Sequence, residues 1–394
     1  MKQRLMAAAL TAVCATAALL VLVVKNRAPA SAENEPSALA WNGTVSWETE
    51  PVSAVDPMEA LLDSLTLEQK VGQLFLARCP ETGAAEAVRQ YHLGGFVLFD
   101  RDFQGENQDT MAQKIADYQN ASDIPLLIAV DEEGGTVNRV SNHKAFRAYS
   151  FQSPRELYTK GGLELIHNTE AEKAQLLSGL GINVNLAPVC DITTDSGAFM
   201  YRRSLGQSPE VTGDFVADTI QTMGHFGVAA VMKHFPGYGN NADTHTGIAR
   251  DSRDLETLET QDMQPFFAGI DAGGGAILVS HTIVEVIDPE YPASLSQAMN
   301  HYLRLAMGFD GVIITDDLSM DAIAAQYGTE EAAVLAVLAG NDLLCSTEFE
   351  TQYSAVLKAC RGGRISEETL NEAVAHVLRW KVQMGLVLPG FPVG

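Results

Sequence analysis

The apolar run Gly311-Val312-Ile313-Ile314-Thr315 ends in Asp316-Asp317, so a carboxylate emerges where a buried strand would finish. Cleaving a glycosidic bond through a covalent intermediate requires one carboxylate beneath the anomeric carbon and a second group to protonate the departing oxygen. Asp316 fits the first role. One of the paired aspartates could instead cap the following helix, and Asp317 suits that task. Farther back, Lys233-His234-Phe235-Pro236-Gly237-Tyr238-Gly239 leads into Asn240-Asn241-Ala242-Asp243-Thr244-His245-Thr246-Gly247, a Gly- and Asn-rich loop. Asp243 beside His245 would raise the imidazole pKa and fix its tautomer, which produces an acid usable near neutral pH. A surface loop with a helix-capping Asp leaves the same trace.

Lys233 and His234 end a buried strand, where an uncompensated ammonium is costly, so a carboxylate or a substrate hydroxyl is expected beside them. Asp131 and Arg203 fit the same picture, because charged groups can grip sugar hydroxyls in pairs; for Arg203 a structural ion pair is an equal reading. Zinc is the rival chemistry, since His234, Asp243, His245 and His281 could be arranged around a metal. Neither an HExxH helix nor clustered cysteines accompany them.

The elements that would position these residues alternate along the chain. Short apolar runs suited to parallel strands occur at Gly95–Phe99, Leu126–Val130, Asn183–Ala187, Val228–Met232, Ala276–Val279, Val312–Ile314 and Leu343–Cys345. Amphipathic helical patterns lie between or after them, at Glu170–Gly179, Glu210–His225, Leu255–Ile270, Leu295–Met307, Glu330–Leu338 and Glu367–Met384. Thr66-Leu67-Glu68-Gln69 has the form of a capping box, followed at helical spacing by Val71, Leu74 and Phe75. Repeated βα units without a GxGxxG fingerprint indicate an α/β fold, a TIM-type (β/α)8 barrel, although an eighth strand is not evident. Polar residues come directly after the runs at Asp131-Glu132-Glu133, Asp191, Lys233-His234, Ser280-His281 and Asp316-Asp317. In a barrel those strand ends converge on one face.

The bulk properties narrow the partners. Lys and Arg total 26 against 50 Asp and Glu, a net charge of −24, and Lys2, Arg4, Lys25 and Arg27 all precede the body of the chain. Such an acidic surface repels phosphate backbones and anionic lipid, so no nucleic-acid partner is expected. The uncharged stretch Leu5–Val24 reads as a signal peptide or membrane anchor within residues 1–27, with Ala30-Ser31-Ala32 as a candidate cleavage site. Basic Lys2 and Arg4 place the chain beyond residue 27 outside the cytoplasm, in contact with a membrane only through this N-terminal segment. Residues 28–55, rich in Ala, Ser, Glu and Pro, read as a flexible linker, and 56–394 as the barrel domain. Cysteines 14, 79, 190, 345 and 360 show no metal or disulfide-scaffold spacing.

Taken together, several segments resemble glycoside hydrolase family 3, particularly its β-N-acetylhexosaminidase branch. They are Ala129-Val130-Asp131-Glu132-Glu133-Gly134-Gly135, Asn183–Asp191, Arg203-Ser204-Leu205-Gly206, Lys233–Gly239, Asp243-Thr244-His245 and Ile314–Met320. The resemblance runs from Thr66 to the C-terminus in the family's order. It implies a retaining exo-β-N-acetylglucosaminidase, with Asp316 as nucleophile, His245 supported by Asp243 as acid/base, and Asp131, Arg203, Lys233 and His234 as sugar-binding residues. The implied partner is a carbohydrate, a β-linked N-acetylglucosamine glycoside such as a peptidoglycan fragment; no cofactor or metal is implied. Tyr238 stands where the family often has histidine, the Gly239–Asp243 loop is one residue shorter, and Thr136 replaces a frequent Arg. Phosphorolytic release of the sugar, β-glucosidase-type specificity and a catalytically silent sugar-binding module are the alternatives.

Overall fold

The computed structural model describes residues 57–239 and 247–387. Eight parallel strands form one sheet: β1 (Phe75–Arg78), β2 (Gly95–Leu98), β3 (Leu127–Val130), β4 (Val184–Asn185), β5 (Ala229–Phe235), β6 (Ala276–Val279), β7 (Val312–Thr315) and β8 (Leu344–Ser346). Neighbours pair in chain order, and β1 also pairs with β8, Phe75 opposite Leu344. A single bridge from Ile314 to Leu343 brings β7 and β8 together, which nearly closes the sheet into a (β/α)8 barrel. The barrel expected from the βα alternation is therefore present.

The strand that the apolar runs do not reveal is the first. Its spacing continues the preceding helix through Leu74 and Phe75, but that helix stops at Gln73 and the chain turns directly into β1. The helix start is as expected: Thr66 Oγ1 accepts the Gln69 N–H at 3.2 Å, and Gln69 Oε1 accepts the Thr66 N–H at 2.9 Å. A four-residue strand shows too few repeats for period 2 to stand out from period 3.6. Pairing on both flanks, with β8 and with β2, is what converts it.

Alternation along each strand sorts the core into two layers. Leu76, Val97, Leu127, Ala129, Ala276, Leu278, Val312 and Ile314 fill the barrel interior. Phe96, Leu98, Ile128, Val130, Ile277, Val279 and Ile313 face the surrounding helices. The helical expectations are met with local departures. Pro154–Gly179 is broken by non-helical dihedrals at Gly161 and Gly162, and π-helical turns occupy Leu258–Asp262 and Tyr302–Ala306. Cys79, Cys190 and Cys345 are buried free thiols, and Cys360 is a partly buried one. Among the described residues no helix is long and apolar enough to cross a membrane; the Leu5–Val24 stretch and the 28–55 linker lie outside them.

The C-terminal helix Glu367–Gln383 closes the floor. Its Val377 and Trp380 join the interior cluster, and Trp380 lies so close to Gly275 that a methyl group there would meet its Nε1 at 2.7 Å. On the same helix Lys381 is fully buried, and its ammonium donates to Gln73 Oε1 at 2.7 Å. Burial pulls the Lys381 pKa down to about 7 from 10.5. Between those values the unfolded chain binds the extra proton, so this lysine makes stability rise with pH across about 7 to 10.5. Lys381→Met should flatten that rise, as read from chemical denaturation at several pH values; an unchanged slope would contradict the assignment.

Candidate active site

The strand ends converge as a barrel requires, around a cavity of about 650 Å³ that takes in Asp131, Arg203, Lys233, His234 and Asp316. That size suits a small-molecule ligand. These five sequence-selected residues come from strand ends and one loop, and the structure brings all of them to one mouth. Asp243 and His245 lie outside the described residues. The chain leaves the described part at Gly239, directly after Tyr238 on the cavity wall, and returns at Gly247.

Glu133 is the hub of the site. Its carboxylate accepts two bonds from Arg203, Nε at 2.9 Å and Nη2 at 2.7 Å, and pairs with Lys233 Nζ at 2.6 Å. Lys233 also donates to Asp131 Oδ1 at 2.6 Å. Burial alone would raise the Glu133 pKa, but Arg203 and Lys233 outweigh it and hold the carboxyl well below its usual range. Burial likewise disfavours charged Lys233, and Asp131 and Glu133 reverse that effect. The carboxylate partner expected for Lys233 is thus supplied twice, and the ion-pair reading of Arg203 is the observed one. Arg203 still lines the cavity, so pairing leaves it facing ligand space.

Two further carboxylates hold this arrangement in place. Glu132, one residue before the hub, is buried and accepts the backbone N–H groups of Arg139, Val140 and Ser141 at 2.7, 2.8 and 3.1 Å. It folds the loop after β3 back over the strand end. Asp191 Oδ2 lies 2.8 Å from His234 Nδ1 and accepts its backbone N–H at 3.1 Å, while Oδ1 accepts the Tyr238 N–H at 2.7 Å. Arg203 Nη2 stands 3.1 Å from His234 Nε2. A guanidinium can only donate, so Nε2 accepts and the ring proton sits on Nδ1, toward Asp191. Tyr238, where the resemblance led one to expect histidine, packs edge-on against His234 at 5.3 Å.

Asp316 comes directly after β7 and is partly exposed to the cavity. Its N–H donates to the Val279 carbonyl at 3.0 Å, and its Oδ1 accepts the Asp317 N–H at 2.9 Å. Burial pushes its pKa up, but His281, His234, the Asp317 N–H and Lys233 together bring it below the ordinary carboxylate value. The side chain is an ionised carboxylate at neutral pH, fixed by its own backbone.

Asp317 does not cap the following helix. Asp321–Tyr327 begins after Met320, whereas Asp317 accepts from the Ser319 N–H at 2.9 Å and from Thr347 of the β8 loop at 2.5 and 3.2 Å. An Asx turn and a tie between neighbouring loops compete for the carboxylate before the helix starts. His281, a candidate metal ligand by residue type, is fully buried, with Nδ1 2.7 Å from Ser294 Oγ and Nε2 2.9 Å from the Asp317 carbonyl. It braces the Asp316-Asp317 pair. Among the described residues no three His, Cys, Asp or Glu side chains come together as a metal cage.

Sequence reasoning missed three residues at the mouth, Glu133, Arg78 and Arg139, and one buried behind it, Asp191. Glu133 and Asp191 are visible as post-strand acids, but their type and position assign them no role. Arg78 ends the unrecognised β1, and Arg139 sits in an aperiodic loop; both guanidiniums lie over the Phe99 ring, at 4.6 and 5.8 Å. Arg139 Nη2 comes to 4.0 Å from Asp131. The cavity therefore offers an ionised carboxylate facing a wall of compensated cations and acids able to grip several hydroxyls at once.

Comparison with known proteins gives a consistent outcome. Residues 66–380 match the family model described as "Glycosyl hydrolase family 3 N terminal domain". A beta-hexosaminidase of Xanthomonas oryzae pv. oryzae is 33% identical over 287 residues, covering 71% of this chain and 83% of that protein. Beta-hexosaminidase A of Pseudoalteromonas piscicida is 28% identical over 328 residues, and here the match spans 76% of this chain but only 55% of the relative. Among solved structures, a glycoside hydrolase family 3 beta-N-acetylglucosaminidase from Paenibacillus sp. str. FPU-7 superposes with a TM-score of 0.77 at 32% identity, covering 82% of this chain and 63% of that one. A beta-N-acetylhexosaminidase from Beutenbergia cavernae superposes with a TM-score of 0.72 at 27% identity, covering 81% and 99%.

If Glu133 is the shared counter-charge, Glu133→Ala strands buried Arg203 and leaves Lys233 with Asp131 alone, and should cost ~3–5 kcal/mol in urea denaturation. Asp131→Ala, at the wetter edge of the network, should cost less. Equal losses below ~1 kcal/mol would contradict this ranking.

Proposed function

The chain belongs to glycosyl hydrolase family 3, and from that premise we propose that it releases terminal β-linked N-acetylglucosamine by hydrolysis with retention of configuration. The observation that carries the reading is the ionised Asp316 carboxylate, held by the Asp317 N–H and facing the same cavity as Asp131, Arg203, Lys233 and His234. The name of the Xanthomonas relative supports a β-hexosaminide as substrate, and that of the Paenibacillus structure supports N-acetylglucosamine as the sugar.

In the first step an Asp316 oxygen attacks the anomeric carbon while the glycosidic bond breaks, and the departing oxygen takes a proton from His245. In the second step His245 removes a proton from water, whose oxygen displaces Asp316 and restores the free carboxylate. Asp243 supports the imidazole in both steps. The chain enters residues 240–246 from the cavity wall at Tyr238, which favours an acid supplied by this loop. The compensated pairs Lys233–Asp131 and Arg203–Glu133 bind sugar hydroxyls without adding net charge beside the nucleophile. The basic start of the chain and the apolar Leu5–Val24 stretch support action outside the cytoplasm, on peptidoglycan fragments or other oligosaccharides.

Purified protein should release free N-acetylglucosamine from an aryl β-N-acetylglucosaminide and leave the matching β-glucoside nearly untouched. Binding without turnover, or a sugar 1-phosphate product in phosphate buffer, would overturn the proposal. Asp316→Asn should lower kcat by about 10⁴-fold or more with an unchanged melting temperature. His245→Ala should cost about 10²-fold or more on a disaccharide and far less on a dinitrophenyl glycoside, because an activated leaving group needs little protonation. Equal damage across leaving groups would assign the acid elsewhere.

A further inference from the structure

The segment Gly237-Tyr238-Gly239 is the described root of the 240–246 loop on its entry side, and Ala249-Arg250-Asp251 lies on its exit side. One guanidinium touches both. A methyl group at Gly239 would stand 2.7 Å from Cζ, Nη1 and Nη2 of Arg253 alike, so the flat face of that side chain lies directly against the Gly239 backbone. The same guanidinium grips Asp251 in two places, Nε to Oδ1 at 2.9 Å and Nη2 to Oδ2 at 2.6 Å. Its remaining arm, Nη1, donates to Asp262 Oδ2 at 2.7 Å.

Asp262 completes the clamp. It ends the π-helical turn Leu258–Asp262, and its side chain lies so close to Gly237 that a methyl group there would meet Asp262 Cβ at 2.7 Å. Both glycines also hold positive φ, +112° at Gly237 and +53° at Gly239, so side chains are disfavoured there on two counts. Asp251 belongs to a two-residue strand, Arg250–Asp251, paired with Ile283–Val284 just beyond β6. Entry, exit and the neighbouring helix therefore meet on one planar cation. Both acids are buried, and Arg253 is the basic partner each is given. A planar fork with several donors can hold three partners in fixed relation, which a lysine cannot.

We infer that Arg253 is a positioning residue for catalysis: by pinning both roots of the loop that bears Asp243 and His245, it sets where the proton donor stands relative to Asp316. This rests on the reading of His245 as the acid. The effect acts through placement, and misplacement of about 1 Å in an acting group can cost about 10²-fold.

The test uses the full chain and two substrates, an unactivated β-N-acetylglucosaminyl disaccharide and the dinitrophenyl β-N-acetylglucosaminide. Arg253→Met should lower kcat on the disaccharide about 10- to 100-fold, with a change of about threefold or less on the dinitrophenyl substrate and in KM. Arg253→Lys should restore only part of the loss. Should Arg253→Met fail to fold, Gly239→Ala keeps every charge, presses on the guanidinium face, and should show the same dependence on leaving group. Equal loss on both substrates, or none, in whichever of these variants folds would overturn the inference. His245→Ala is run alongside. If it lacks leaving-group dependence, the acid assignment and this inference fall together; if it shows it and the Arg253 and Gly239 variants do not, only the inference falls.

Discussion

Sharing one buried carboxylate between two cations is the constraint on which the mouth of this barrel depends. Glu133 stands between Arg203 and Lys233, and the three residues come from the ends of different strands and loops. Without it Arg203 loses its two-pronged carboxylate and Lys233 is left with Asp131 alone, and the carboxylate could not remain ionised without them. Everything nearby serves to keep the trio in register. Glu132 folds the β3 loop, Asp191 holds His234 and Tyr238, and the buried Lys173, itself paired with Glu170 at 2.6 Å, donates to the Glu133 carbonyl at 3.2 Å. The result is a binding wall that is rigid and nearly neutral, next to an Asp316 that stays charged.

Rigidity of this kind separates two ends of the molecule. At the floor, apolar contacts and a sealed lysine do the work of stability: Trp380 against Gly275, Val377 in the interior layer, Lys381 on Gln73. At the mouth, polar side chains accept the cost of burial because each has a partner in fixed geometry. The division arises from parallel strands, whose carboxyl ends all open on one side. Beyond the end of β5 the loop root is held by charge as well, through Arg253, Asp251 and Asp262.

Much of this was legible in the residues themselves. Apolar runs marked seven strands, polar residues directly after five of them marked the face on which they open, and Asp131, Arg203, Lys233, His234 and Asp316 were each identifiable from the residue type at a strand or loop end. β1 was not, because four residues continuing a capped helix carry no distinguishing period. Arg78 was lost with it. Glu133 and Asp191 were visible without a role, since a carboxylate's partner is set by the fold and leaves no local pattern. Arg253 was invisible for a different reason: its importance lies in what it presses against, Gly239, far enough upstream that only the folded backbone brings the two together.

The central claim is that Asp316 becomes covalently attached to the sugar. Incubating the protein with a 5-fluoro β-N-acetylglucosaminyl fluoride, which slows breakdown of such an intermediate, followed by digestion and mass spectrometry of the peptides, tests it directly. A single sugar adduct on the peptide containing Asp316, lost when excess acceptor reactivates the enzyme, is the predicted result. An adduct on a different carboxylate, or turnover of the reagent with inverted configuration and no adduct at all, would contradict it.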